Sequence, residues 1–151
     1  ERGPAGLGFM TAAAGAGAAG AAIFQAMSAA QTPGVFQTQT VVTLLLVPLL
    51  VAGLGLVDNF HVATGIVVLL GGGVTLLGVS LQALVQMAID DHHRGRVMGL
   101  WTTVSIGSGA FGAVIMGVLA DQAGVALAQA MIGLMLAGLA IFMVMRFRSL
   151  G

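Results

Sequence analysis

Five long stretches of this sequence run almost without charged side chains: about Ala5 to Ala29, Val35 to Val57, Val62 to Ile89, His92 to Ala120 and Val125 to Met145. A helix of about 20 residues, rising 1.5 Å per residue, spans the roughly 30 Å hydrocarbon layer of a bilayer. Only 7% of the chain is charged, whereas 58% is hydrophobic. Soluble domains carry roughly a quarter charged residues, so this chain cannot clothe itself for water. Lipid offers no hydrogen-bond partner to a bare peptide group, which forces the stretches into helices, and their residues lack the alternation of a barrel strand. The expected fold class is all-α: a polytopic membrane protein with five transmembrane helices, residues 1–151 forming one incomplete domain.

The first stretch opens with Glu1-Arg2 and is as long as those that follow, unlike the basic start and short apolar region of a secretory signal peptide. It reads as a true span. A start at Glu1, with a helix begun within about five residues, suggests a fragment that lacks its beginning.

Charge and residue type exclude several function classes. Five Arg, no Lys and five acids give a net charge of +0, so there is no basic face for nucleic acid. With Cys 0, disulfides, zinc-thiolate sites and cysteine nucleophiles are ruled out. His92 and His93 are adjacent, point different ways on a helix and have no further ligand nearby, so no metal or other cofactor is expected. Ser105 and Ser108 lack a neighbouring base to activate them, which argues against an intramembrane enzyme. The glycine runs lack a Gly-Lys-Ser/Thr ending and so do not form a phosphate loop.

Arginine position sets the orientation, because cytoplasmic loops are enriched in positive charge. Arg94 and Arg96 lie between the third and fourth stretches, and Arg146 and Arg148 follow the fifth. Two crossings separate the clusters, which puts both on one face. The expectation is therefore a multi-pass protein of the cell inner membrane with its C-terminus in the cytoplasm. Asp58 to His61 and Asp121 to Gly124 then lie on the far side.

The stretches differ in character. The first carries Gly15, Gly17 and Gly20 among alanines, and the fourth carries Gly107, Gly109, Gly112 and Gly117. Small residues let helix backbones approach where lipid supplies no hydrophobic drive, so these seven glycines read as helix-packing positions. The second and fifth are rich in Leu, Val and Met, as outer helices facing lipid should be, and Pro48 is expected to kink the second. The third is polar, with Thr75, Ser80, Gln82 and Gln86, and holds the run Gly71-Gly72-Gly73. A polar stripe within a span must face protein or a water-filled path. It either ties helices together or lines a substrate route, and the glycine run is either a close crossing or a hinge.

The segment Asp91-His92-His93-Arg94-Gly95-Arg96-Val97-Met98 resembles a cytoplasmic loop of the major facilitator superfamily, in particular the bacterial exporters related to siderophore and macrolide efflux proteins. In that branch the loop reads Pro-Asp-x-x-Arg-Gly-Arg-Val-Met and precedes a glycine-rich helix ending in Leu-Ala-Asp-x-x-Gly. The matching residues here are Asp91, Arg94, Gly95, Arg96, Val97 and Met98, followed by Gly107, Gly112, Gly117, Leu119, Ala120, Asp121 and Gly124. Asp90 stands where the proline is usual, and His92 and His93 replace residues that are commonly acidic and aliphatic.

The resemblance covers the whole chain and implies helices eight to twelve of a twelve-helix transporter. In that arrangement the eighth and eleventh helices meet the other half, the tenth faces the central cavity, and the ninth and twelfth lie outside. It implies secondary active efflux of a small molecule by alternating access, with Asp91, Arg94, Gly95 and Arg96 as a cytoplasmic gate loop. Thr75, Ser80, Gln82 and Gln86 become substrate-path candidates. The implied partners are the lipid bilayer, the missing N-terminal helices and a small-molecule substrate.

Read without the family, Asp90 and Asp91 cap the fourth helix and the arginines anchor the loop to phosphates or acids. A non-transporting membrane scaffold or subunit is the alternative function. None of the five stretches holds an acid or histidine away from its ends, so a proton-coupling group is expected outside this chain.

Overall fold

The computed structural model describes residues 3–28, 32–90 and 92–148. They form five helices: α1 Gly3–Met27, α2 Pro33–Leu54, α3 Phe60–Ala88, α4 Arg94–Ala123 and α5 Val125–Arg148. All five are long and apolar enough to cross a membrane, and no strand occurs among the described residues.

The helix ends follow local chemistry. Pro33 sits in the first turn of α2, where a missing N–H costs nothing, so the helix begins two residues before the expected Val35. Asn59 caps α3, its Oδ1 accepting from the amides of His61 at 2.9 Å and Val62 at 3.4 Å. The start of α4 differs from expectation. Its N-cap is His93, without a side-chain cap bond, and no acid lies in its first turn. The Asp90 carbonyl accepts from the His93 amide at 3.0 Å, so this acid belongs to the turn before the helix and does not cap it.

The far end of α4 continues through Asp121 to Ala123, three residues beyond the expected stop. It ends at Gly124, whose φ of 83° only glycine adopts without strain. The Gly124 amide closes on the Ala120 carbonyl at 2.9 Å while its own carbonyl starts α5, so a single residue reverses the chain.

The principal contacts run α1 on α3, α3 on α2, α2 on α5 and α5 on α4. The helices thus form an open arc in the order α1, α3, α2, α5, α4. Glycine makes its tightest joints. A methyl on Gly17 would collide with the Val68 carbonyl, and one on Gly71 with that of Ala14, so α1 and α3 touch backbone to backbone. A methyl on Gly73 would lie 2.8 Å from Val47 Cγ2 on α2. The run Gly71-Gly72-Gly73 is therefore a crossing, with neighbours on both flanks of α3.

On the other side of α2, a methyl on Gly133 would lie 2.7 Å from Ala52 Cβ. Among the described residues the buried set is dominated by small side chains, Ala52, Ala63, Ala128, Ala137 and Ala140, with Phe36 as the one large hydrophobic side chain. Leu134, Met135, Leu139, Phe142 and Met145 of α5 point outward. This sorting suits a bilayer, where close packing rather than escape from water holds helices together.

The expectation that α2 and α5 are purely outer helices needs amending. Both turn bulky side chains outward, yet α2 is a central member of the arc and α5 buries one alanine face. The α2 helix also runs continuously through the buried Pro48.

Candidate functional site

Three polar side chains from three helices meet inside the bundle. Ser80 of α3 is fully buried and donates from Oγ to Gln39 Oε1 of α2 at 3.0 Å. Gln25 of α1, 7% exposed, donates from Nε2 to the same oxygen at 3.3 Å. Thr43, one turn beyond Gln39, donates to the Gln39 carbonyl at 2.7 Å. At 1.5 Å per residue, the six residues from Pro33 to Gln39 and the eight from Ser80 to Ala88 place these two side chains roughly 10 Å inside the ends of α2 and α3. Of these, the α3 end leads to the arginine loop. At that depth a polar atom without a partner is costly, so the cluster links α1, α2 and α3 at one point.

The four polar residues expected to share a stripe on α3 are dispersed. Ser80 turns into the α2 interface. Gln82, two residues on and therefore on the opposite side of the helix, is exposed. Thr75 donates to the Gly71 carbonyl at 2.8 Å, within its own helix. Gln86, a turn and a half beyond Ser80, accepts from an Arg94 guanidinium nitrogen at 3.3 Å. For Ser80 the interhelical hydrogen bond is the observed state.

Gln25 and Gln39 were not among the residues singled out from sequence. Their signal was the one that marked Gln82 and Gln86, an amide within an apolar span.

Two cavities flank the cluster. The larger, about 570 Å³, is an open groove whose wall includes Phe24 of α1, Thr38, Gln39 and Val42 of α2, and Leu76 of α3. The smaller, about 230 Å³, lies between Phe36, Ala83, Gln86, Met87 and Arg94. Arg94 thereby joins the arginine loop to the polar end of α3. Gly95 and Arg96 are exposed, and Asp91 lies outside the described residues. His92 and His93 stack edge to face with centroids 5.2 Å apart. Among the described residues no three His, Asp or Glu converge on a point.

The expected packing glycines also separate. Gly17 sits in the tight α1–α3 crossing, whereas a methyl at Gly15, Gly20, Gly107, Gly109, Gly112 or Gly117 would meet nothing within 4 Å. No residue of α4 is buried.

Five membrane-length helices, joined by close glycine crossings and an intramembrane polar cluster, define a multi-pass helical membrane protein. A family model described as transmembrane secretion effector, of the major facilitator type, matches residues 1–150. The chain belongs to that family, which points to transport across the bilayer. Neither a curated protein nor a solved structure gave a match.

Proposed function

We propose that the chain is the C-terminal part of a secondary exporter of the siderophore and macrolide efflux type, α1 to α5 being helices eight to twelve. It moves a small amphiphilic molecule out of the cytoplasm by alternating access and catalyses no covalent reaction. The observation that carries this reading is the family match along the chain, combined with an arc whose two end helices keep glycine faces open at Gly15, Gly20, Gly107, Gly112 and Gly117. Faces that let backbones approach, with no neighbour among the described residues, suit helices from the missing half. A scaffold without transport accounts for the crossings and leaves the arginine loop as an anchor to phosphates or acids.

In this reading Arg94, Gly95 and Arg96, with Asp91, form the gate on the cytoplasmic face. The Arg94–Gln86 hydrogen bond at 3.3 Å supports it, because it connects the loop to the helix proposed to face the cavity. Contacts of this kind form in one state of a transporter and separate in the other. Thr75, Gln82 and Gln86 remain the substrate-path candidates on α3, with Ser80 acting through the cluster that fixes that helix.

The test is efflux by the complete gene product in vesicles. Replacing both loop arginines, Arg94→Ala with Arg96→Ala, should cut transport while leaving the amount inserted unchanged. Wild-type efflux from that double variant sinks the gate. Orientation is separately testable, because the chain has Cys 0 and single cysteines give a clean background. Cysteine at Arg96 or Arg146 should react with a membrane-impermeant maleimide from the cytoplasmic side, and cysteine at Asp58 or Asp121 from the other.

A further inference from the structure

We propose that the groove beside Gln39 is a binding site for an uncharged, membrane-dissolved amphiphile that carries a carbonyl, ester or ether oxygen. Its volume of about 570 Å³ lies within the roughly 300–1,000 Å³ range of small-molecule sites, which pair apolar walls with a few polar groups that fix orientation. Phe24, Val42 and Leu76 supply apolar wall, and none of the described residues that line the groove is charged. A charged ligand would sit uncompensated there.

The hydrogen-bonding character of the wall is set from behind. Gln39 Oε1 is occupied by two donors from the interior, Ser80 Oγ at 3.0 Å and Gln25 Nε2 at 3.3 Å. This orients the amide, and Gln39 Nε2 donates to no atom among the described residues. Of the three threonines on the same wall, Thr38 donates to the Gly34 carbonyl at 3.0 Å and Thr43 to that of Gln39 at 2.7 Å, while Thr32 at the N-cap of α2 makes no side-chain cap bond. The amide therefore offers N–H groups to a partner that has a lone pair. Phe24 is 59% exposed and Val42 54% exposed on the open flank, so the ligand arrives from lipid.

This inference concerns binding and needs only the fold, so it stands or falls apart from transport. The probe is a monoacylglycerol with a diazirine in its acyl chain, photolysed with the purified chain in phosphatidylcholine vesicles and mapped by peptide mass spectrometry. Labelling should concentrate on residues near Phe24, Val42 and Leu76, and excess unlabelled monooleoylglycerol should suppress it. Gln39→Leu should weaken it roughly fivefold, the effect of one lost hydrogen bond.

Because Gln39→Leu also breaks the cluster, Val42→Phe is the second variant. It fills the groove without touching the Gln25–Gln39–Ser80 bonds and should lower labelling at least as far. Labelling spread evenly over the five helices, the same pattern from an oxygen-free alkyl diazirine, or full labelling of Val42→Phe would each overturn the proposal.

Discussion

The α1–α3 pair and the α4–α5 pair draw on similar residues and pack in opposite ways. In the first, Gly17 and Gly71 bring two backbones into contact, and Gln25 and Ser80 are tied through Gln39 a few turns away. In the second, α4 carries four expected packing glycines, buries none of its residues, and has space around each of those glycines. The contrast shows that glycine in a membrane helix records a permitted close approach, whereas whether the approach occurs depends on which helix is alongside. The contacts of Gly133 with Ala52 and of Gly55 with Ala126 at the α2–α5 joint belong with the first kind.

The comparison breaks most visibly at the crossing. Gly71→Leu drives a side chain into the Ala14 carbonyl, and backbone cannot yield as a flexible side chain can. Overpacking costs about 1–3 kcal/mol, occasionally more, and here α1 should lift from α3. Denaturant titration in detergent micelles, read by helix content, should show the loss. An undisturbed midpoint would mean that α1 and α3 do not touch as described.

The polar cluster should give the next largest effect. Gln39→Leu leaves Gln25 and Ser80 without their shared acceptor, and hydrogen bonds between membrane helices contribute about 0.6–2 kcal/mol each. Ser80→Ala removes one donor and leaves the Gln25–Gln39 bond, so its cost should be about half as large on the same titration. Equal costs for the two variants would mean that Gln25 takes no part in holding α1 to α2.

The sequence made the helices legible for a reason particular to membranes. Bilayer thickness dictates length and lipid dictates helix, so five spans could be placed before any packing was known. Their ends were less legible where one residue decides: Pro33 extended α2 backwards, and His93, not an acid, stands at the N-cap of α4.

The site was read only in part. Ser80 was found from its polarity, but its partners Gln25 and Gln39 sit on helices that composition marked as purely structural. Gln82 was grouped with Ser80 although a spacing of two places residues on opposite sides of a helix. Which side of α3 faces α2 is set by the Gly73–Val47 contact, a fact of packing that no periodicity within α3 contains.

The smallest expected effect is the most informative about α4. Gly112→Leu adds a large side chain where even a methyl would touch nothing, and replacing a mid-helix glycine with a better helix former gains up to roughly 1 kcal/mol of helix propensity. In the chain alone the unfolding midpoint should therefore hold or rise slightly, in contrast to Gly71→Leu. In the complete gene product the same substitution should lower transport or assembly, because the proposed missing helices would meet it. A fall in the isolated chain would reveal a neighbour of α4 within these residues. If the complete protein is indifferent as well, the face looks only at lipid, and the open end of the arc is its finished surface.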